Sequence, residues 1–432
     1  MKKRFFSAVL VGFSASLAVA QISNTLSPYS QYGLGNLADQ SQSVGRAMGG
    51  IGIGLRGGQL VNAMNPASYS AVDSLSMVFD AGVSAQITNF KEGGKKVNAR
   101  TSDFDFAVAL FRVMPKMGVS VGIIPYSNIG YNYYRTDYID QSHLNSSTTT
   151  YAGSGGINQG FVGVGWEVAK GLSVGANFSY LWGNYTKTST VVNSDAYTNI
   201  GMQSYEASIS SYKLDFGAQY QRRISHDDVL TVGATVGLGH KLGTDAWFVR
   251  SNSNTQTSVV QSDTAIAANA LAIPFTFGVG ASLVHKDNLL VGVDYSFQKW
   301  GSVDYPHVTT NSQGAKYEAV GGLLSDRHRF AVGADWVPDL RSRSYFKRIH
   351  YRAGVYYATP YYKIGSYDGP KELGVSAGFA LPITNSWNNR STLNISAQWV
   401  RMSQTHFVTE NTFRINIGLT FNERWFAKWK VD

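Results

Sequence analysis

The stretch Leu172-Ser173-Val174-Gly175-Ala176-Asn177-Phe178-Ser179-Tyr180-Leu181-Trp182 decides the fold. Leu172, Val174, Ala176, Phe178, Tyr180 and Trp182 share one parity, while Ser173, Gly175, Asn177 and Ser179 share the other. Successive side chains of a strand point to opposite faces, so this is a ribbon with one apolar side and one small or polar side. Working outward, the same alternation recurs over Met77–Ile87, Asp103–Leu110, Met117–Ile123 and Val162–Val168. It continues over Tyr212–Tyr220, Leu230–Leu238, Ile273–Leu283, Leu289–Phe297 and Phe330–Trp336. Ile349–Tyr357, Leu373–Leu381, Leu393–Trp399 and Phe413–Phe421 complete a set of fourteen. Segments of roughly ten residues suit strands that cross a bilayer at a tilt.

The connectors alternate too. Short turns are expected near Pro115-Lys116, Lys170-Gly171, Ser225–Asp228 and His285–Asp287, with slightly longer ones at Pro338–Phe346 and Thr384–Arg390. Long polar loops are expected at Asn89–Thr101, Arg135–Gly156, Asn184–Ser204, Lys241–Ala270 and Gly301–Asp326. Short turns on one side of a membrane and long loops on the other are the habit of outer-membrane barrels. An even strand number then puts both mature termini in the periplasm. Closure follows from physics, because an open sheet edge in hydrocarbon leaves backbone groups without partners. The expected fold is therefore all-β: a transmembrane antiparallel β-barrel of about fourteen strands. Its last strand resembles the terminal signal of such barrels, although the chain continues past Phe421.

Composition agrees with this reading. The 432-residue chain contains 45 Gly, 25 Tyr and 22 Phe, and only 15% charged residues, well under the usual quarter. No run of eighteen apolar residues exists, so a membrane could be crossed only by strands. Residues 1–20 read as a signal peptide, with Met1-Lys2-Lys3-Arg4, an apolar Phe5–Leu17 and a cleavage site at Ala18-Val19-Ala20. Maturation would start at Gln21. With no cysteine, disulfides, thiolate metal sites and cysteine nucleophiles are excluded. The formal charge of +9, to which Lys2, Lys3 and Arg4 contribute, is dispersed apart from a cluster over Arg341–Arg352, so nucleic acid is not an expected partner. That cluster reads as a barrel turn near anionic headgroups.

Residues 21–75 do not alternate and are rich in glycine, from Gly33 and Gly35 to Gly57 and Gly58. Ahead of a barrel spanning 76–432, such a segment reads as a plug or hatch in the lumen. Inward parity collects charges, and Asp103, Asp105, Asp215, Arg329 and Arg414 form a candidate lumen network, with Lys213, Asp294, Asp335, Arg352 and Glu372 on the same faces. Trp166, Trp182, Trp300, Trp336, Trp399 and Trp425 read as interfacial girdles.

Motifs for chemistry fail on context. Gly52-Ile53-Gly54-Leu55-Arg56-Gly57 matches GxGxxG without a strand-helix-strand setting. Gly118–Gly122 and Gly171–Gly175 match GxSxG but lie in strands, not at a strand-to-helix elbow. The eight histidines form no metal-ligating pair. No enzyme activity, cofactor or metal is expected.

Tyr32-Gly33-Leu34-Gly35, Ser43–Gly50 and Asn65-Pro66-Ala67 resemble the hatch of the FadL family of hydrophobic-compound transporters, and Gly118–Tyr131 is similar to that family's third strand. The resemblance implies a fourteen-stranded barrel in which Asn65, Pro66 and Ala67 hold the hatch beside a lateral opening at Pro125. It also implies a hydrophobic ligand leaving sideways beside an inward kink, with Gly122, Pro125 and Gly130 as the candidate lateral gate. Proline cannot donate to a sheet ladder and glycine eases a bend, so these residue types suit a kink. The family's ligand-catching outer loops are apolar and helical, whereas Asn184–Ser204 and Ser251–Thr264 here are mostly Ser, Thr, Asn and Gln. The type IX secretion shuttle PorV resembles the same barrel, so a second reading is an accessory or shuttle subunit of an outer-membrane secretion or assembly machine. The expected partners are membrane lipids, small hydrophobic ligands on the first reading and other outer-membrane proteins on the second.

Overall fold

The computed structural model describes residues 27–424, apart from residues 75, 141–143, 196, 312–313 and 384–390. The predicted signal peptide, Gln21 and Trp425 lie outside the described residues. Fourteen antiparallel strands follow one another: β1 (Ser76–Glu92), β2 (Lys95–Met114), β3 (Met117–Tyr138), β4 (Ser146–Ala169), β5 (Leu172–Asn193), β6 (Ile200–Arg223) and β7 (Asp228–Gly237). Then come β8 (Thr276–His285), β9 (Leu289–Gln298), β10 (Arg327–Trp336), β11 (His350–Ala358), β12 (Lys371–Ile383), β13 (Ser391–Ser403) and β14 (Thr409–Arg424). Each pairs with its neighbour, and β1 pairs with β14 from Ser76↔Arg424 to Lys91↔Thr409, which closes the barrel.

Burial is inverted relative to a water-soluble sheet. Outward-facing Phe178 is 55% exposed, Phe330 53% and Ile417 48%, whereas inward-facing Ser173 and Gln219 are 0% and 1% exposed. The apolar faces read from the sequence thus form the lipid-contacting belt. Trp166, Trp336 and Trp399 are exposed on this surface as expected for a girdle, but Trp300 is fully buried. It packs on Tyr361 in the mouth at the long-loop end, with ring centroids 4.8 Å apart, and is not interfacial.

The long polar connectors are largely strand. β3, β4, β5 and β6 run for 22, 24, 22 and 24 residues, well past the lipid belt. The expected loop Asn89–Thr101 is a hairpin turning at Gly93-Gly94, both with positive φ. Within Lys241–Ala270, Ala246–Ser253 and Val260–Ala267 pair as a further hairpin. Pairing of Ala246–Ser253 with β6 makes that hairpin continue the sheet. These stretches are rich in Ser, Thr and Val, which suit strands, but neither of their faces belongs to the lipid-contacting belt, and their inner side chains such as Tyr185, Ile209 and Ala246 are buried against protein. The apolar parity that betrays a strand is therefore missing from them.

The first described residues lie at the long-loop end: Ser27 donates its N–H to Gly130 O of β3 at 2.8 Å and its hydroxyl to Glu410 of β14. From there the segment descends inside the barrel to Ser76, at the short-turn end beside Arg424. Its backbone lies so close to the wall that several strands carry glycine at the contact. A Cβ on Gly217 would come within 2.1 Å of Asn65 Oδ1, and one on Gly354 within 2.1 Å of the Met48 carbonyl carbon. Gly233 and Gly333 repeat the arrangement against Ile53 and Met48.

Candidate functional site

Strand β3 is paired with β2 only from Met114↔Met117 to Ala107↔Ile123. Beyond that rung, β2 stays with β1, and β3 stays with β4 up to Tyr138. The two strands have parted. Pro125 stands two residues past the last rung, and a register shift between Pro125 and Ser127 marks a bulge in the β3–β4 ladder. Proline lacks the N–H a ladder needs, and a bulge bends the strand that carries it. Ile124, Pro125, Tyr126 and Ser127 are all buried, so β3 loses its in-out alternation here and turns into the lumen. On β2, Phe104 lies just past the parting. Its β1 partner Val83 is 53% exposed, on the lipid-facing parity, so the strands separate at the level of the apolar belt.

The N-terminal segment occupies the edge that β3 turns inward. Asn36 and Leu37 pair with Asn128 and Ser127, Ala38 N–H donates to Tyr126 O at 3.0 Å, and Gln40 Nε2 donates to Pro125 O at 2.9 Å. The residues beside Pro125 are thus 36–40. Asn65, Pro66 and Ala67 were expected there but lie elsewhere. Asn65 Nδ2 donates to Ile53 O and Ala218 O, and its Oδ1 accepts from Ala67 N–H, which caps the short helix Pro66–Ala71 against β3–β6. The motif is a fixed corner whose neighbours Gly175 and Gly217 leave room for it.

A cavity of about 340 Å³ sits between the segment and the wall. Asp103, Asp105, Asp215, Arg329 and Arg414 all line it, as do Phe104, Ile124, Pro125 and Tyr126. Gly122 and Gly130 are not among its lining residues. Asp105, Asp215, Arg329 and Arg414 fall into separate groups. Asp105 pairs with Arg46 of the segment at 3.0 Å, both side chains buried. Asp215 pairs with Lys213. Arg329 donates to Gly49 O and Gly50 O at 2.8 and 3.0 Å and lies over the Tyr356 ring, while Arg414 donates to Gln86 Oε1. Two groups therefore hold the segment, and the others stay within the wall. Asp294 adds a third anchor, accepting from Gly52 and Ile53 N–H at 2.5 and 2.8 Å. The glycine-rich loop that mimics a phosphate-binding fingerprint thus presents its amides to an internal carboxylate.

Two anchors near the mouth went unread in the sequence. Lys187, on the β5 extension, donates to Gln31 O and Gly33 O at 2.9 and 2.7 Å and lies against the Tyr185 and Tyr305 rings. Burial pulls its pKa down to about 7. Glu410 accepts from the Ser27 hydroxyl, and burial pushes its pKa up to about 8. Their parity, shared with Ser173 and Arg414, was the available signal. Around them Tyr29, Leu34, Tyr131, Trp300, Tyr361 and Tyr362 belong to one buried apolar cluster at the mouth. The GxSxG serines face inward to structural partners, Ser120 to Ala109 O and Ser173 to Ser70 Oγ.

Fourteen strands closed round an N-terminal segment, with the third strand turned inward, define an outer-membrane barrel of the FadL type. The fold matches the Ralstonia pickettii toluene transporter TbuX at TM-score 0.60 and 16% identity, covering 88% of this chain and 98% of that one. It matches the Pseudomonas putida toluene transporter TodX at 0.59 and 13%, covering 90% and 100%. It matches a Pseudomonas aeruginosa FadL homologue at 0.62 and 11%, covering 90% and 99%. A search of curated proteins finds no match. The family model described as BamG matches residues 1–432, and the chain belongs to the BamG family.

Proposed function

We propose that this barrel passes small hydrophobic molecules through the outer membrane and releases them sideways, between β2 and β3. The observation that carries the reading is the end of the β2–β3 ladder at Ala107↔Ile123, at the level of the apolar belt and beside the lumen cavity. Residues 27–74 act as the hatch. Pinned to the wall at Asp294, Arg329 and Asn65, they block a straight path to the short-turn end, which faces the periplasm. Gly122 and Gly130 flank Pro125 and let β3 bend. The toluene transporters of the same fold support a small apolar cargo.

The chain has no native cysteine, so a cross-link can be placed cleanly. Phe104→Cys with Tyr126→Cys, bridged by a bifunctional thiol reagent in proteoliposomes, is expected to abolish uptake of a hydrophobic dye. Each single cysteine variant is expected to retain it. Undiminished uptake after complete bridging would exclude the lateral route.

A second reading is an accessory subunit of an outer-membrane protein assembly or secretion machine. The apolar cluster that fills the mouth and the polar, sheet-like extensions beyond it favour it, since they offer ordered surface to a protein partner. Gentle-detergent purification that yields a stoichiometric protein partner, together with no dye uptake by the barrel alone, would select this reading over the first.

A further inference from the structure

One described turn at the short-turn end gathers four basic residues within eight positions, Arg341, Arg343, Lys347 and Arg348. Between β10 and β11 the chain runs from Val337 to Ile349, both buried, and projects an ordered loop. Asp339 N–H donates to Lys347 O at 2.9 Å, Asp339 Oδ1 accepts from Arg341 N–H, and Tyr345–Arg348 forms a single helical turn. The loop carries Arg341, Arg343, Lys347 and Arg348 against one acid, Asp339. Among the described residues none of these four cations is within ion-pair distance of a carboxylate, and the buried Nε of Arg348 has no partner. At two other turns of this end the lysine is paired with a neighbouring acid, Lys116 with Glu167 at 2.9 Å and Lys286 with Asp227 at 3.9 Å.

Apolar side chains accompany the charge. Phe346 is 73% exposed, and Leu340 is exposed beside it. The loop stands on the lipid-facing surface, where Trp336 packs on Tyr351 and Tyr351 on Phe379, with centroids 5.8 and 5.7 Å apart. Tyr351 donates its hydroxyl to Phe346 O at 3.3 Å, which ties the loop to that aromatic strip. Aromatic rings at the interface beside unpaired guanidinium groups match a leaflet boundary, with acyl chains on one side and phosphates on the other.

We propose that the Val337–Ile349 loop is a docking surface for anionic phospholipid, with Phe346 and Leu340 entering the acyl region and the four cations holding phosphodiester groups. Continuity with the lipid belt favours a membrane occupant over an acidic protein. The inference rests on the proposed orientation, in which this end faces the periplasm and hence the phospholipid leaflet. Basic side chains gathered at one anionic surface add their attractions, so the set makes a selective site.

The test uses the intact purified barrel, stripped of lipid and offered phosphatidylglycerol or phosphatidylcholine, with bound lipid counted by native mass spectrometry. The wild type is expected to prefer phosphatidylglycerol by at least about tenfold. R341Q/R343Q/K347Q/R348Q is expected to lose that preference. K91Q/K95Q/K96Q/R100Q removes the same charge at the opposite end and is expected to keep it. Heat-modifiable gel mobility checks that both variants are folded barrels. Unchanged preference in the first variant, or equal loss in both, overturns the proposal; so does binding of a polyglutamate peptide by a wild type with no lipid preference. The readout does not involve dye uptake, so failure of the transport reading leaves it standing. Labelling of an Arg343→Cys variant by an impermeant thiol reagent in intact cells would overturn the orientation on which it rests.

Discussion

Two buried ionisable side chains near the outer mouth make the hold on the N-terminal segment depend on pH. Glu410 is raised from its ordinary 4.5 to about 8, so between these values the folded state binds the proton that the unfolded state has released. Stability from this site therefore falls as pH rises from about 4.5 to about 8. Lys187 is lowered from 10.5 to about 7, so the unfolded state holds the extra proton across that window, and stability rises from about 7 to about 10.5. Together they predict a minimum near pH 7–8 in the protection of residues 27–33, read by hydrogen exchange. Glu410→Gln is expected to remove the falling acid limb and leave the rising alkaline one. A variant that keeps the falling limb would show that another group sets it.

At the scale of elements, the decisive object is the β3 edge and the short stretch that covers it. Ala38→Pro removes the N–H donated to Tyr126 O and leaves that buried carbonyl short of a partner. The expected cost is about 1–3 kcal/mol, confined to the segment. Limited proteolysis should then cut within residues 27–40 while the barrel bands stay intact; unchanged protection would mean that the pairing at Asn36-Leu37 suffices. How much of this was legible follows from parity. Where one side of a ribbon touches acyl chains, as from Leu172 to Trp182, alternation names the strand and its outward face. Beyond the belt neither side touches acyl chains, so the outward apolar parity fades and the extensions of β3 to β6 read as loops. Pro125 was singled out by its chemistry and does stand at the β3 bulge. Asn65, Pro66 and Ala67 were misplaced because a plug's path around a wall is set by long-range contacts, to which no local pattern points. The inner glycines Gly217 and Gly354 were visible only as small residues on a polar face. What they make room for, Asn65 and Met48 of the segment, lies more than a hundred positions earlier in the chain.

For the whole molecule, the segment and the wall are fitted backbone to side chain around much of the inner circumference. Gly354→Val places two methyl groups where the Met48 backbone lies, and overpacking of this kind costs about 1–3 kcal/mol or more. Closure of the sheet does not depend on that contact. The variant is therefore expected to remain heat-modifiable while its segment becomes protease-sensitive and its planar-bilayer conductance rises. A variant that neither conducts more nor is cut faster would mean that the wall yields instead. The same fit constrains the order of assembly. From Ser27 at the long-loop rim, the described segment touches β10 and β11 through Met48 and β6 through Asn65, and only then does the first strand begin. A passage this tight leaves no slack for threading a finished cylinder. The cylinder has to be wrapped about its own leader, and the Ser76–Arg424 seam, joining the two most distant parts of the sheet, is zipped last.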